Sequence, residues 1–274
     1  MMRKKNNIVV GLTTMNTELL KISVPALGKL CQKFMLVIYN DNPMATVSRR
    51  QIRKLGYCGD LQIINGVENI GTLRARMAIA DAAIRAGNNY PDWFIFCDDD
   101  DMLVNLDIPN VSNDNFAIIQ NAVIIRHRVC DLLRVMENPS DFDIDGENVE
   151  LARPHIGFAG TLIRAKVIYG LFGAIQKIMD AIQKIDDGLD WRPPVDAMMW
   201  SFTNIFAKHE NLDAVPIYMD KINYIKNEID TPRMKYGRLA HPIRNAVEHY
   251  RRALAKYDAA MRTMLDAAAL RGDD

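Results

Sequence analysis

Four consecutive aspartates, Asp98 to Asp101, follow directly on the apolar run Trp93-Phe94-Ile95-Phe96-Cys97. A short aromatic and β-branched run of this kind reads as a buried strand. The carboxylates then stand where a strand leaves a sheet, which is where open α/β sheets place their ligands. Ionised carboxylates this close repel one another and gain from a neighbouring cation. An all-oxygen cluster suits a hard ion such as Mg2+ or Mn2+. The plainer reading is an acidic turn that caps the next segment, and composition alone does not choose between the two. By themselves, Asp196 after Pro193-Pro194 reads as an acid that opens a helix, and His241 just before a proline reads as a surface residue. Asp141-Phe142-Asp143-Ile144-Asp145-Gly146 begins like a calcium loop, but Ala152 occupies the twelfth position, where a bidentate glutamate is needed. A solvated acidic loop is the expectation there.

The elements that must position these residues alternate short apolar runs with amphipathic stretches, the pattern of a βα-repeating sheet. Ile8 to Leu12 reads as the first strand, ending in Thr13-Thr14, and a helix from about Thr17 to Gln32 follows with Pro25 in its middle. Phe34 to Tyr39 is the second strand, stopped by the turn signal Asn40-Asp41-Asn42-Pro43. Leu61 to Ile64 is the third strand, and the Ala- and Arg-rich stretch Gly71 to Ala86 is helical, ended by Gly87-Asn88-Asn89. Phe116 to Ile125 and Ile156 to Ile163 read as strands, Val167 to Ile185 as a helix with one apolar face. Glu137 to Glu150 is acidic, turn-rich and the best place for an insertion. From about Pro242 to Leu270 a closing helix carries Val247, Tyr250, Leu254, Tyr257, Met261, Met264 and Ala268 at three-four spacing, which suits a seam with another helix of the same chain or, as preferred here, with a partner subunit in a homodimer.

Composition bounds the rest. The chain has 274 residues, 49% hydrophobic and 25% charged, as an ordinary globular protein does. Lys+Arg and Asp+Glu balance at 34 each, which argues against non-specific polyanion binding. Acidic residues dominate from Asp92 to Glu150 and basic ones from Lys221 to Arg262, a pairing suited to a metal–diphosphate substrate. Cys31, Cys58, Cys97 and Cys130 are scattered without zinc spacing, which points to a reducing compartment. The apolar run after the basic start is too short for a signal-peptide core, and no stretch is long enough to span a membrane. A cytoplasmic location is expected.

With these motifs in order, residues from about Val9 to Tyr218 resemble the GT-A glycosyltransferases, specifically the family 2 type that uses nucleotide-diphosphate sugars. Thr13-Thr14-Met15-Asn16 corresponds to the family's nucleotide-contacting turn after strand one. Val37 to Pro43 resembles the strand-two segment whose aspartate, here Asp41, holds the base. Asn69-Ile70-Gly71-Thr72-Leu73-Arg74-Ala75-Arg76 resembles the N-x-G-x-x-x-A-R helix start, with Met77 in place of the usual Asn. Asp98 to Asp101 matches the D-x-D-D metal motif. His155 to Arg164 resembles the acceptor-side strand. Val195-Asp196, Met198-Met199-Trp200 and Val215-Pro216 resemble an acidic pair at a helix start, an apolar helix and a Val-Pro strand, with Val195 replacing the usual glutamate.

The resemblance implies an α/β GT-A fold, a mixed and mainly parallel sheet flanked by helices, over residues 1–220. A C-terminal loop and long helix would occupy 221–274. It implies metal-dependent, inverting, single-displacement transfer from a nucleotide sugar, with a UDP-sugar expected, to an acceptor hydroxyl. Thr13, Thr14, Asp41, Asn69, Arg74, Arg76, Asp98 and Asp99 would bind the nucleotide. Asp98 and Asp100 would hold Mn2+ or Mg2+, with His241 as a candidate third ligand, because no histidine occurs near Lys226-Asn227 where the family 2 register expects one. Asp196 would be the general base. Two other readings stay open: a sugar-nucleotide pyrophosphorylase, and a non-catalytic nucleotide-binding or scaffolding module. The pyrophosphorylase would need a glycine-rich loop after strand one, and Gly11-Leu12-Thr13-Thr14-Met15-Asn16 is not one.

Overall fold

A computed structural model describes residues 7–31, 34–86, 91–106, 108, 116–127, 149–152, 158–185 and 217–229. The chain runs β1 (Ile8–Thr14), α1 (Leu20–Lys29), β2 (Met35–Asn40), α2 (Arg49–Lys54), β3 (Leu61–Asn65), α3 (Gly71–Ala86) and β4 (Trp93–Asp98). It continues through β5 (Met102–Leu103), β6 (Ala117–His127), β7 (Val149–Ala152), β8 (Leu162–Arg164), α4 (Ala165–Ile185) and β9 (Ile217–Ile229). One sheet holds the strands in the order β3-β2-β1-β4-β8-β6-β9-β5, with β7 on β6. From β3 to β4 every pairing is parallel. Beyond β4 the sheet turns mixed: β8 is antiparallel to both β4 and β6, while β6 and β9 run parallel. The expected α/β class with a mixed sheet between helices is the one that forms.

Strands β1, β2 and β4 are buried on both faces, so they are near-continuous apolar runs, while the edge strand β3 is only partly buried. Alternation nevertheless sorts them. Val9, Val37, Phe94 and Phe96 pack with α3 and α4 through Leu73, Ile79, Leu171 and Ile175. Val10, Leu36, Ile38 and Ile95 pack on the opposite face with Leu20, Val24 and Leu27 of α1 and Ile52 of α2. Cys97 lies in this second cluster, and burial pushes its thiol well up from the ordinary value, as for an inert core cysteine. Gly11 leaves room for the packing of α3: a Cβ there would lie 2.8 Å from side-chain atoms of both Ile79 and Phe96. No helix among the described residues is long and apolar enough to cross a membrane.

Sequence and structure agree closely along the parallel half. Helix α3 spans Gly71–Ala86, as its alanines and the following Gly87 predict, and α1 is a shorter core of the expected helix with Pro25 inside it. Helix α2 has no periodicity to read, since Ile52 is its one buried residue; Ser48 caps it by accepting from the Gln51 N–H at 3.2 Å. In the second half, the strand expected over Ile156 to Ile163 is the short β8, preceded by an isolated bridge between Phe96 and Ala159. Strand β9 follows Val215-Pro216 and runs across residue 220, tying residues 221–229 into the sheet rather than leaving them as a loop. The closing helix and residues 141–148 of the calcium-like loop lie outside the described residues; Val149–Ala152 of that loop form β7, with Glu150 opposite Ile124.

Candidate functional site

The chain order reverses between β1 and β4: β2 and β3 extend the sheet to one side of β1, and β4 pairs on the other. Such a switch point opens a crevice at the carboxyl ends of the two strands. Thr13 pairs with Asp98 across that junction, so the acidic run leaves the sheet at the crevice itself. What the sequence shows as four equal carboxylates separates in space into four different environments.

Asp98 ends β4 on the α3 face. Arg76 of α3, only 2% exposed, donates from Nη2 to Asp98 Oδ1 at 3.2 Å, and the Asp98 side chain remains 36% exposed. The guanidinium is held between aromatic rings, 5.7 Å from the Phe96 centroid and 5.9 Å from that of Phe158. Asp99 turns toward β1, where Thr14 donates its hydroxyl to Oδ2 at 2.6 Å. Burial pushes the Asp99 carboxyl up to about 6, against the opposing effect of the Thr14 bond and backbone donors from Asn16 and Met15. Asp100 is pushed up to about 7 by burial first, then by the charges of Asp98 and Asp99, with Lys226 pulling the other way. Asp101 turns inward, 2% exposed, and accepts the Tyr224 hydroxyl at 2.6 Å. That ring lies flat against Gly160, whose φ of +82° and close approach to the ring (2.9 Å from a would-be Cβ) leave no room for a side chain.

The loops after β1, β2 and β3 form the other wall. Asp41 is 3% exposed, and its two oxygens accept the backbone N–H groups of Ile70 (2.7 Å) and Gly71 (2.9 Å). These are among the donors that a helix start leaves unsatisfied, so Asp41 caps α3 from across the loops. The resemblance gives Asp41 the nucleobase; in the structure both of its carboxylate oxygens accept from the start of α3. Asn40 donates to Ala45 O at 2.6 Å and Asn65 Oδ1 at 3.1 Å, while Asn65 exchanges bonds with the Val47 backbone, which fixes the β2 loop. Asn42 Nδ2 reaches Met15 O at 3.1 Å and joins the first two loops.

Of the residues expected to bind nucleotide, the structure brings Thr13, Thr14, Arg76, Asp98 and Asp99 together, with Asp41 one layer behind. Arg74 is exposed, because two positions along a helix is a turn of about 200° away from Arg76. Asn69 is exposed in the loop before α3, where its amide meets the Met15 sulfur. Asp196 and His241 lie outside the described residues. Tyr224, Phe158 and Lys226 join the site without having been singled out for it. The only sequence signal for Tyr224 is its alternation with Ile222 and Lys226, too faint to separate from loop.

The donor set can be tested against the metal that the resemblance implies. Among the described residues no group of three or more His, Cys, Asp or Glu side chains is placed to hold an ion, so an all-protein cage is not what this turn offers. Mg2+ and Mn2+ are commonly bound through one or two carboxylates and completed by substrate phosphates and water. Asp98 and Asp100, hard oxygen donors with part of their surface open, fit that mode.

No protein-family model matches the chain, and no curated protein matches it. Among solved structures it is similar to S. aureus TarS 1-349, at 14% identity and a TM-score of 0.44 over 81% of this chain and 60% of that one. The TarS 1-349 structure in complex with UDP gives 14% identity and a TM-score of 0.42, over 84% of this chain and 62% of that one. A nucleoside-diphosphate-sugar pyrophosphorylase from Vibrio cholerae RC9 gives 10% identity and a TM-score of 0.44, over 85% of this chain and all of that one. This chain therefore spans about three-fifths of the TarS 1-349 structures. Likeness at this level leaves the site to be read from its own residues.

Proposed function

We propose that the chain is a GT-A glycosyltransferase that moves a sugar from a nucleotide-diphosphate sugar, with a UDP-sugar expected, to an acceptor hydroxyl. The observation that carries this reading is the acidic turn at the switch point of an open α/β sheet, with Arg76 delivered to it from α3. Sugar transfer leaves a nucleoside diphosphate behind, and the charge growing on that leaving group must be offset. Arg76 supplies one fixed positive charge beside Asp98. A divalent ion on Asp98 and Asp100 would supply further neutralisation when bound. Thr13 and Thr14 end β1 next to this point, with Thr14 orienting Asp99. Asp196 is the proposed general base that takes the acceptor's proton in an inverting displacement. The catalytic domain is proposed to continue through β9, with the appendage beginning after Ile229. The turn that follows β1, Met15-Asn16-Thr17, has no glycine, which disfavours the pyrophosphorylase.

The test is a screen of nucleotide sugars with Mn2+ present, followed by Asp196→Asn. Release of nucleoside diphosphate from one donor supports the transferase. Asp196→Asn should lower transfer by roughly a hundredfold or more while donor affinity barely changes. Survival of activity within a few-fold would make Asp196 a capping residue and place the base elsewhere.

A further inference from the structure

We propose that Lys226 is a built-in cation of the donor site, placed to contact the donor's diphosphate beside Asp100; this rests on the transferase reading above. Strands β5 and β9 pair antiparallel, with Met102 opposite Ile225 and Leu103 opposite Tyr224. Extended by one residue, that register sets Lys226 level with Asp101, the last residue of the acidic turn before β5. Side chains two apart on a strand share a face. Tyr224 sends its hydroxyl to Asp101 at 2.6 Å, so the face that carries Lys226 is the one on which the turn rests. Lys226 is only partly exposed, at the place where β9 passes the end of the acidic turn.

Two cations thus approach the acidic run from opposite halves of the sheet: Arg76 from α3 on Asp98, and Lys226 from β9, which pairs with β5 directly after the run. The division of labour follows from their chemistry. Arg76 is buried between two rings and fixed to one carboxylate oxygen. Lysine is a compact charge on a flexible stem with three donors, which suits a phosphate that arrives and leaves. A diphosphate entering among four carboxylates is repelled unless positive charge is already present. Lys226 would lower that repulsion alongside a metal ion held by Asp98 and Asp100.

The experiment uses the whole 274-residue chain, with UDP and Mn2+ as probes, on wild type, Lys226→Gln and Lys226→Arg. UDP affinity is measured by calorimetry at saturating Mn2+, and Mn2+ affinity by paramagnetic resonance without nucleotide. The expected result is a loss of roughly tenfold or more in UDP affinity for Lys226→Gln, the scale of a charge-assisted hydrogen bond. Lys226→Arg should stay within a few-fold of wild type. Mn2+ alone should bind Lys226→Gln at least as tightly as wild type, because a repelling charge is gone. Lys226→Met, which keeps the stem, serves the same readings if the glutamine variant melts early. UDP affinity within twofold of wild type in the glutamine or methionine variant overturns the proposal, and so does a parallel loss of Mn2+ binding, which would mean that Lys226 only holds Asp100 in place. If wild type itself binds no UDP at any Mn2+ concentration, the transferase reading fails first and Lys226 falls with it.

Discussion

In the parallel half of the sheet a buried aspartate, Asp41, is held by two backbone N–H groups at the start of α3. In the mixed half a buried aspartate, Asp101, is held by the hydroxyl of Tyr224, from a strand 123 residues further along the chain. The first arrangement is built from neighbouring βα units and carries the helix N-terminus with it. The second is a long-range side-chain bond whose geometry depends on β9 lying in register and on Gly160 leaving room for the Tyr224 ring. Secure local scaffolding thus carries the Arg76 side of the acidic turn, and distant packing sets the Lys226 side. A donor site assembled from both halves is sensitive to either.

Removing the long-range bond should have the larger effect on stability. Tyr224→Phe keeps the ring against Gly160 but leaves Asp101 short of a donor in a buried place, at a cost of about 1–3 kcal/mol. Urea unfolding should show that loss, and Asp101→Asn in the same background should recover part of it. An unchanged midpoint would mean that water or another donor serves Asp101 equally well. The local tie should matter less: Asp41→Ala removes a helix cap and should cost about 1 kcal/mol. It should also weaken UDP binding, because Arg76 loses its orientation. If Asp41→Ala is the more destabilising of the two, the order drawn here between the halves is reversed.

A smaller effect should appear with pH in protein stripped of divalent ions. Asp99 and Asp100 are raised to about 6 and about 7 in the folded chain, above the unfolded value near 3.9. For acids shifted upward, the folded state holds more protons than the unfolded one between these values. Their contribution to stability is therefore full below about pH 4 and is lost as pH rises through 6 to 7. Thermal melts in chelator should fall modestly from pH 5 to pH 8, beyond the trend of an Asp99→Asn/Asp100→Asn control. A flat or rising profile relative to that control would show that burial does not raise the two carboxyls.

The same contrast explains what the sequence could reveal. Strand β4, helix α3 and the acidic turn are each written in contiguous residues: an aromatic run, an alanine-rich stretch before a glycine, and four acids. The placement of Arg76 needed only the helical period once α3 was known; Arg74, read beside it in the motif, goes to solvent for the same reason. By contrast, nothing near Tyr224 in sequence signals a bond to Asp101, and nothing near Asn40 signals Asn65, 25 residues away. Asp41 was legible as a chemically important turn acid, but its partners at Ile70 and Gly71 appear only when β2 and α3 are set side by side. Periodicity reports which face is buried; it does not report which polar group waits there.

Calorimetry of UDP against wild type and Asp100→Ala, each with and without Mn2+, tests the metal-dependent donor site most directly. Clear binding is expected only for wild type with Mn2+, with a loss of at least tenfold in the other three titrations. Equal UDP affinity in all four would contradict it, because the acidic turn would then have no part in holding a nucleotide diphosphate.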